Sequence, residues 1–178
     1  MSHGDPQNPQ RNPQPSKRYE VTATVDASGA WDSVNGRVFF DVTNVECTPK
    51  DEFLGIHKKP KDVVIDFTMT RVDDKTWKGY FYRDAVRDED YYGLGVCHWD
   101  ASNVGAVFVA RKVTFASTET FDDLLHKGSQ TNYFNRHFRD DPSPTLDNVP
   151  GLSAVNPQVM QQPDAFFPIT VSVKEATP

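Results

Sequence analysis

Val63, Ile65, Phe67 and Met69 alternate with Val64, Asp66, Thr68 and Thr70. A period of two sends neighbouring side chains to opposite faces of an extended strand, so this stretch belongs in a sheet with one face on a core. The same period recurs along the chain. Tyr19, Val21, Ala23 and Val25 alternate with Glu20, Thr22, Thr24 and Asp26. Val38, Phe40 and Val42 face away from Phe39, Asp41 and Thr43, Trp77 and Phe81 face away from Tyr80 and Tyr82, and Phe167, Ile169, Val171 and Val173 form a last strand. Pro168 places that last strand at an edge or a bulge, because proline cannot donate to a ladder.

Punctuation between these runs is of the turn-forming kind. Ser28-Gly29 and Asn35-Gly36 read as turns, and Asp73-Asp74-Lys75-Thr76 joins two strands as a hairpin. The most apolar stretch reads as a central hairpin, with Leu94 to Asp100 and Val104 to Phe115 joined by a four-residue turn. Thr48 to Lys61 breaks the pattern with Pro49, Gly55 and Pro60, and its Phe53, Leu54 and Ile56 are expected to pack on the core. One helix is expected, with Thr120 as N-cap, Asp122 and Asp123 in its first turn and Gly128 at its end. Strands do not alternate with helices, which excludes a parallel α/β sheet. The expected fold is all-β and mainly antiparallel, a single β-sandwich of about seven strands with one short helix, with a small β-barrel as the alternative. Ser129 to Asp164 shows no periodicity and reads as a long C-terminal loop.

Residues 1–17 are rich in proline, glutamine and asparagine and contain no apolar side chain after Met1 with which to pack. They read as a flexible tether ahead of a domain at 18–178. Such tethers follow cleaved or lipidated N-termini of secreted bacterial proteins. The expectation is therefore a periplasmic or secreted location, with the leader absent from these 178 residues and a lipid anchor possible. The only two cysteines, Cys47 and Cys97, are expected to form a disulfide. It would close a loop of about 50 residues and stabilise by about 4 kcal/mol.

The formal charge of −6 excludes a protein that tracks nucleic-acid phosphates. No apolar run reaches the roughly 20 residues of a membrane span. Catalytic signatures are missing: no nucleophile elbow, zinc-binding helix, phosphate loop or dinucleotide fingerprint occurs. Cys97 and His98 would point to opposite faces of a strand, so the imidazole cannot serve the thiol. His98, Asp100 and Ser102 lie in one short segment without an oxyanion hole. Asp84, Asp88 and Asp90 could offer oxygens to calcium, but lack the glycine of a calcium loop and sit beside Arg83 and Arg87. No catalytic residue, cofactor or metal ligand is expected.

Aromatic residues carry the functional signal instead. Tyr80, Tyr82, Tyr91, Tyr92 and Trp99 cluster around an acidic loop, and Tyr133, Arg136 and Arg139 combine the residue types enriched at binding hot spots. These eight are the expected partner-binding residues, with Phe134 and Phe138 anchoring the segment beneath. The expected function is a non-enzymatic binding protein of the bacterial envelope, most specifically an inhibitor or immunity protein that caps a secreted toxin or hydrolase. The alternative is a β-sandwich that binds a small ligand or carbohydrate.

Overall fold

The computed structural model describes residues 3–27, 29–140 and 147–178. Ser28 of the expected first turn lies outside them, as do Pro142, Pro144 and Leu146 of the expected C-terminal loop. The described residues form eleven strands: β1 (Arg18–Val25), β2 (Ser33–Val42), β3 (Lys50–Asp51), β4 (Ile56–His57), β5 (Val63–Asp73), β6 (Thr76–Tyr82), β7 (Trp99–Ala110), β8 (Val113–Thr120), β9 (Ser129–Asn135), β10 (Asn148–Val149) and β11 (Phe166–Glu175). Three short helices accompany them: α1 (Phe121–Lys127), α2 (Arg136–Asp140) and α3 (Pro157–Gln161). The fold is all-β, as the alternation requires.

Nine strands form one sheet in the order β10-β8-β7-β2-β5-β6-β1-β11-β9, and β3 pairs with β4 in a separate small hairpin. Strand β5 turns the corner: Val63 to Thr68 pair with β2, whereas Met69 to Asp73 pair with β6. The two halves of the sheet thus face each other across Phe40, Phe108, Phe115, Phe134, Phe167 and Ile169, all essentially inaccessible to solvent. At the far side the halves meet again. Asn132 donates to Ser117 at 3.1 Å, and Phe115 packs on Phe134 and Phe167 at 5.8 and 5.4 Å.

The segment 147–152 completes this seam. β10 runs parallel to β8, while Leu152 exchanges two 2.8 Å backbone hydrogen bonds with Tyr133 of β9. The sandwich is therefore almost a closed barrel, and part of the expected C-terminal loop is its closing stave. That stretch looks aperiodic because only Phe134 of β9 is fully buried, while Asn132 is turned to the seam.

Other expectations need correction. Asn35-Gly36 is not a turn but lies inside β2, where the Phe67 ring covers the glycine and would sit 2.0 Å from an added Cβ. The central hairpin turns at Arg111-Lys112, both with positive φ, and β7 runs unbroken through Ala101 to Asn103. β11 lies between β1 and β9 rather than at an edge. Pro168 is tolerated there because its neighbour Tyr133 directs both backbone groups to Leu152, and on the other side, just past the end of β1, the Pro168 carbonyl accepts from Asp26 N at 3.1 Å.

Helix α1 follows the expected caps, with Thr120 Oγ1 accepting from Asp123 N at 3.3 Å and Gly128 at φ 84°. Its Phe121 closes one barrel end against Tyr19 and Phe81. Trp31 closes the other against Phe108, Phe115 and Phe167. The expected disulfide is present: Cys47 and Cys97 are buried and bonded, with Cα atoms 5.3 Å apart, just beyond the Val42–Trp99 end of the β2–β7 ladder.

Residues 3–17 depart from the free tether that their composition suggests. Gly4 donates to Asp90 O, Asn12 to Ala85 O, Arg87 to Gln10 O and Lys61 to Pro6 O, at 2.8–2.9 Å. Asp84 accepts from the backbone N–H of Ser16 and Lys17. The strap is held through its backbone, so its lack of apolar side chains does not prevent docking.

Candidate functional site

The disulfide end of the barrel carries a projecting hairpin. Its base is Thr48, buried, whose hydroxyl is 3.0 Å from His57 Nδ1, with Lys58 N donating to Pro49 O at 2.9 Å. Its tip is built by Asp51, whose Oδ1 accepts from the N–H of both Phe53 and Leu54 at 2.9 Å, and by Gly55 at φ 69°, whose N–H returns to Asp51 O. An aspartate that satisfies the amides two and three residues on and a glycine in the left-handed region make a defined turn. The apolar tip does not pack on the core as expected. Phe53 is 96% exposed, Leu54 62% and Ile56 59%. Leu94, Val96 and Val45 are exposed at the same end, joined through Cys47–Cys97 and the Asn44 Nδ2–Val96 O hydrogen bond. Apolar surface gathered this way makes this end the candidate docking site. The clue in the sequence is an apolar triplet between two prolines, with aspartate and glycine set to form a turn.

The expected aromatic cluster divides. Trp99 and Tyr91 are buried, and the indole N–H donates to the phenol oxygen at 3.1 Å. Tyr92 is half-buried. Burial pushes the Tyr91 and Tyr92 phenols above their ordinary pKa. These residues hold the 84–98 loop, and Trp99 and Tyr91 cannot offer contact surface to a partner. Arg139 is also buried, its guanidinium 4.6 Å from the Trp31 ring and bonded to Ala30 O, so it braces the barrel plug instead of reaching outward. Phe134 lies in the core and Phe138 packs partly against it. Arg136, half-buried, donates to Asp164 O at 3.2 Å.

Tyr80 and Tyr82 do share one surface with Tyr133, which is distant in sequence: the outer face of β6, β1, β11 and β9. Registers place Thr76, Thr24, Thr170 and Thr131 in one row across these four strands, and Lys78, Thr22, Ser172 and Ser129 in the next. Tyr80, Glu20 and Lys174 make a third. Glu20 accepts from Tyr80 OH at 3.0 Å and lies 3.7 and 3.5 Å from Lys78 and Lys174, while Arg18 stacks on the Tyr80 ring at 3.8 Å. Burial alone would raise the Glu20 pKa. The hydrogen bond from Tyr80 and the two lysine charges more than offset it, leaving the carboxyl below its usual value.

A polar cavity of about 440 Å³ lies between the strap and the start of β7, lined among others by Lys17, Arg83, Asp88, His98 and Asp100. Four of its charged side chains are paired or hydrogen-bonded within it. Arg83 forms a bidentate pair with Asp100 at 2.7 and 2.8 Å, and Asp88 holds Trp99 N and His98 Nδ1, each at 2.9 Å. His98 is thus partnered by Asp88 from the acidic loop and not by Asp100, while Ser102 donates to Phe39 O. Cys97 is committed to the disulfide. Among the described residues, no group of three or more His, Cys, Asp or Glu side chains is placed to hold a metal ion, and no helix is long and apolar enough to cross a membrane.

Comparison with known proteins finds no family model, curated relative or solved structure that matches the chain.

Proposed function

We propose that this protein is a non-enzymatic binding protein of the bacterial envelope, which caps a secreted toxin or hydrolase by inserting the 48–58 hairpin into a cleft of that partner. The observation that carries the reading is the 96% exposure of Phe53 at the tip of a turn held by Asp51 and Gly55. A large side chain left in water on a hairpin with a defined turn serves little purpose in the isolated fold, but a preordered apolar finger binds with little further entropy loss. The neighbouring Glu52, exposed at the tip, argues against burial in lipid and for a protein cleft. A buried disulfide fits an oxidising compartment, periplasmic or extracellular.

The test is capture by the whole chain from envelope and secreted fractions of the source, followed by titration of the recovered protein. Phe53→Ala with Leu54→Ala should weaken binding by roughly 2–4 kcal/mol without lowering the melting temperature. A partner bound equally well by that double variant would refute the finger, and recovery of no protein would refute the reading itself.

A further inference from the structure

The outer face of β6, β1, β11 and β9 has chemistry that the finger does not use. Inward positions on these strands are Val21, Ala23, Trp77, Phe81, Ile169 and Val171, all buried. The outward positions are almost all hydroxyls and amines. In antiparallel pairs the strands lie about 4.8 Å apart, so each row of four spans roughly 14 Å. Among the described residues, one hydrogen bond between hydroxyls is made within the rows, between Thr131 and Thr170 at 2.7 Å. The charge here opposes that of the whole. The chain carries −6, yet Arg18, Lys78 and Lys174 surround Glu20, which is itself largely covered, with 12% of its side chain exposed against 40% and 72% for the two lysines, and Asp26 at the end of the face is paired with Lys75.

We infer that this face binds an acidic polysaccharide, whose hydroxyls meet the threonine and serine rows and whose carboxylates meet Lys78, Lys174 and Arg18. An array of short hydroxyl side chains on the outside of the sheet offers donors and acceptors without deep pockets, which suits an extended repeating chain more than a compact ligand. The local positive charge selects a polyanion over a neutral glycan. Glu20 holds the two lysines in place between the strands, leaving their remaining N–H groups free for the ligand. The inference is independent of the finger, which lies at the disulfide end of the barrel.

Affinity electrophoresis of the whole chain through gels containing polygalacturonate or neutral dextran tests it. Retardation is expected in polygalacturonate alone, and it should fall as salt is added. Lys78→Gln with Lys174→Gln should weaken it about fivefold, the effect of two exposed ion pairs. Thr24→Val with Thr170→Val should also weaken it, whereas Lys50→Gln with Lys58→Gln on the hairpin should leave it unchanged. Equal migration in both gels would overturn the inference. So would equal loss from the hairpin lysines, which would mark a nonspecific charge effect. Circular dichroism of each variant separates loss of binding from loss of fold.

Discussion

Replacing Cys47 and Cys97 together by alanine removes a cross-link that closes a loop of 50 residues. The chain-entropy model assigns such a loop about 4 kcal/mol, because the unfolded chain regains the freedom that the bond denied it. Both side chains are buried, so the two lost sulfurs leave small voids that add up to about 1 kcal/mol. The sum of about 4–5 kcal/mol is a large part of the 5–15 kcal/mol typical of a domain, and for a chain of this size it corresponds to a fall in melting temperature of roughly 8–20 °C. The folded state should survive, because the bond lies beyond the β2–β7 ladder, whose pairing runs from Ser33 to Val42 without it. Urea unfolding of the oxidised protein and the double variant measures the difference, and the variant should show a steeper denaturant slope, since its unfolded state exposes more surface. A difference below about 1 kcal/mol would refute the reasoning, for it would mean that the unfolded chain already keeps residues 47 and 97 together.

Two further outcomes follow from the geometry. Asp84 sits below its ordinary pKa although burial pushes it up, because the backbone N–H groups of Ser16 and Lys17 hydrogen-bond its carboxylate. A depressed carboxyl contributes stability that is complete above its unfolded pKa of about 3.9 and disappears as pH falls through the lower folded value. The Ser16 and Lys17 amides should therefore be protected from hydrogen exchange at neutral pH and lose protection only in acid, while Asp84→Asn should release them at neutral pH. Protection unchanged in that variant would show that the other strap bonds suffice. At Gly105 an added Cβ would stand 2.0 Å from the Ser117 carbonyl oxygen and 2.6 Å from Thr118 Cα, backbone atoms that cannot swing aside. Gly105→Ala should cost about 1–3 kcal/mol in urea unfolding, and a neutral result would mean that β8 shifts freely along β7.

Strands whose alternation is strict were legible: β1 and β11 bury the apolar residues at every second position, β6 buries Trp77 and Phe81, and β5 buries Val63 and Met69 and half-buries Ile65 and Phe67. Helix α1 was legible through its caps. The β7–β8 turn was not, because Arg111-Lys112 lacks the Asn-Gly that such turns favour, whereas Ala101-Ser102-Asn103 imitates a turn within a strand. Strand β9 was hidden because its neighbour across the seam is met by Asn132 and not by an apolar side chain. The strap was invisible because hydrogen bonds made by the backbone leave no trace in composition. Residue type also misled at the site. Trp99, Tyr91 and Arg139 are as well suited to holding a loop or a plug as to meeting a partner, and only their burial decides. Phe53 is the reverse case, a residue that composition assigns to a core and that the turn at Asp51 holds outside.

Strand β1 lies between β6 and β11, with Val21 opposite Gly79 on one side and Val173 on the other. During synthesis its second neighbour, β11, is made about 150 residues later. Until that strand arrives, one flank of β1 has no partner, and the stave at 147–152 cannot be held from both sides. Contacts between residues about 150 positions apart demand that a long loop be closed before they repay its entropy, which slows folding. Assembly of this half of the sheet therefore waits for β11, and loss of residues 169–178 should disable the molecule far more than loss of any equally long surface loop.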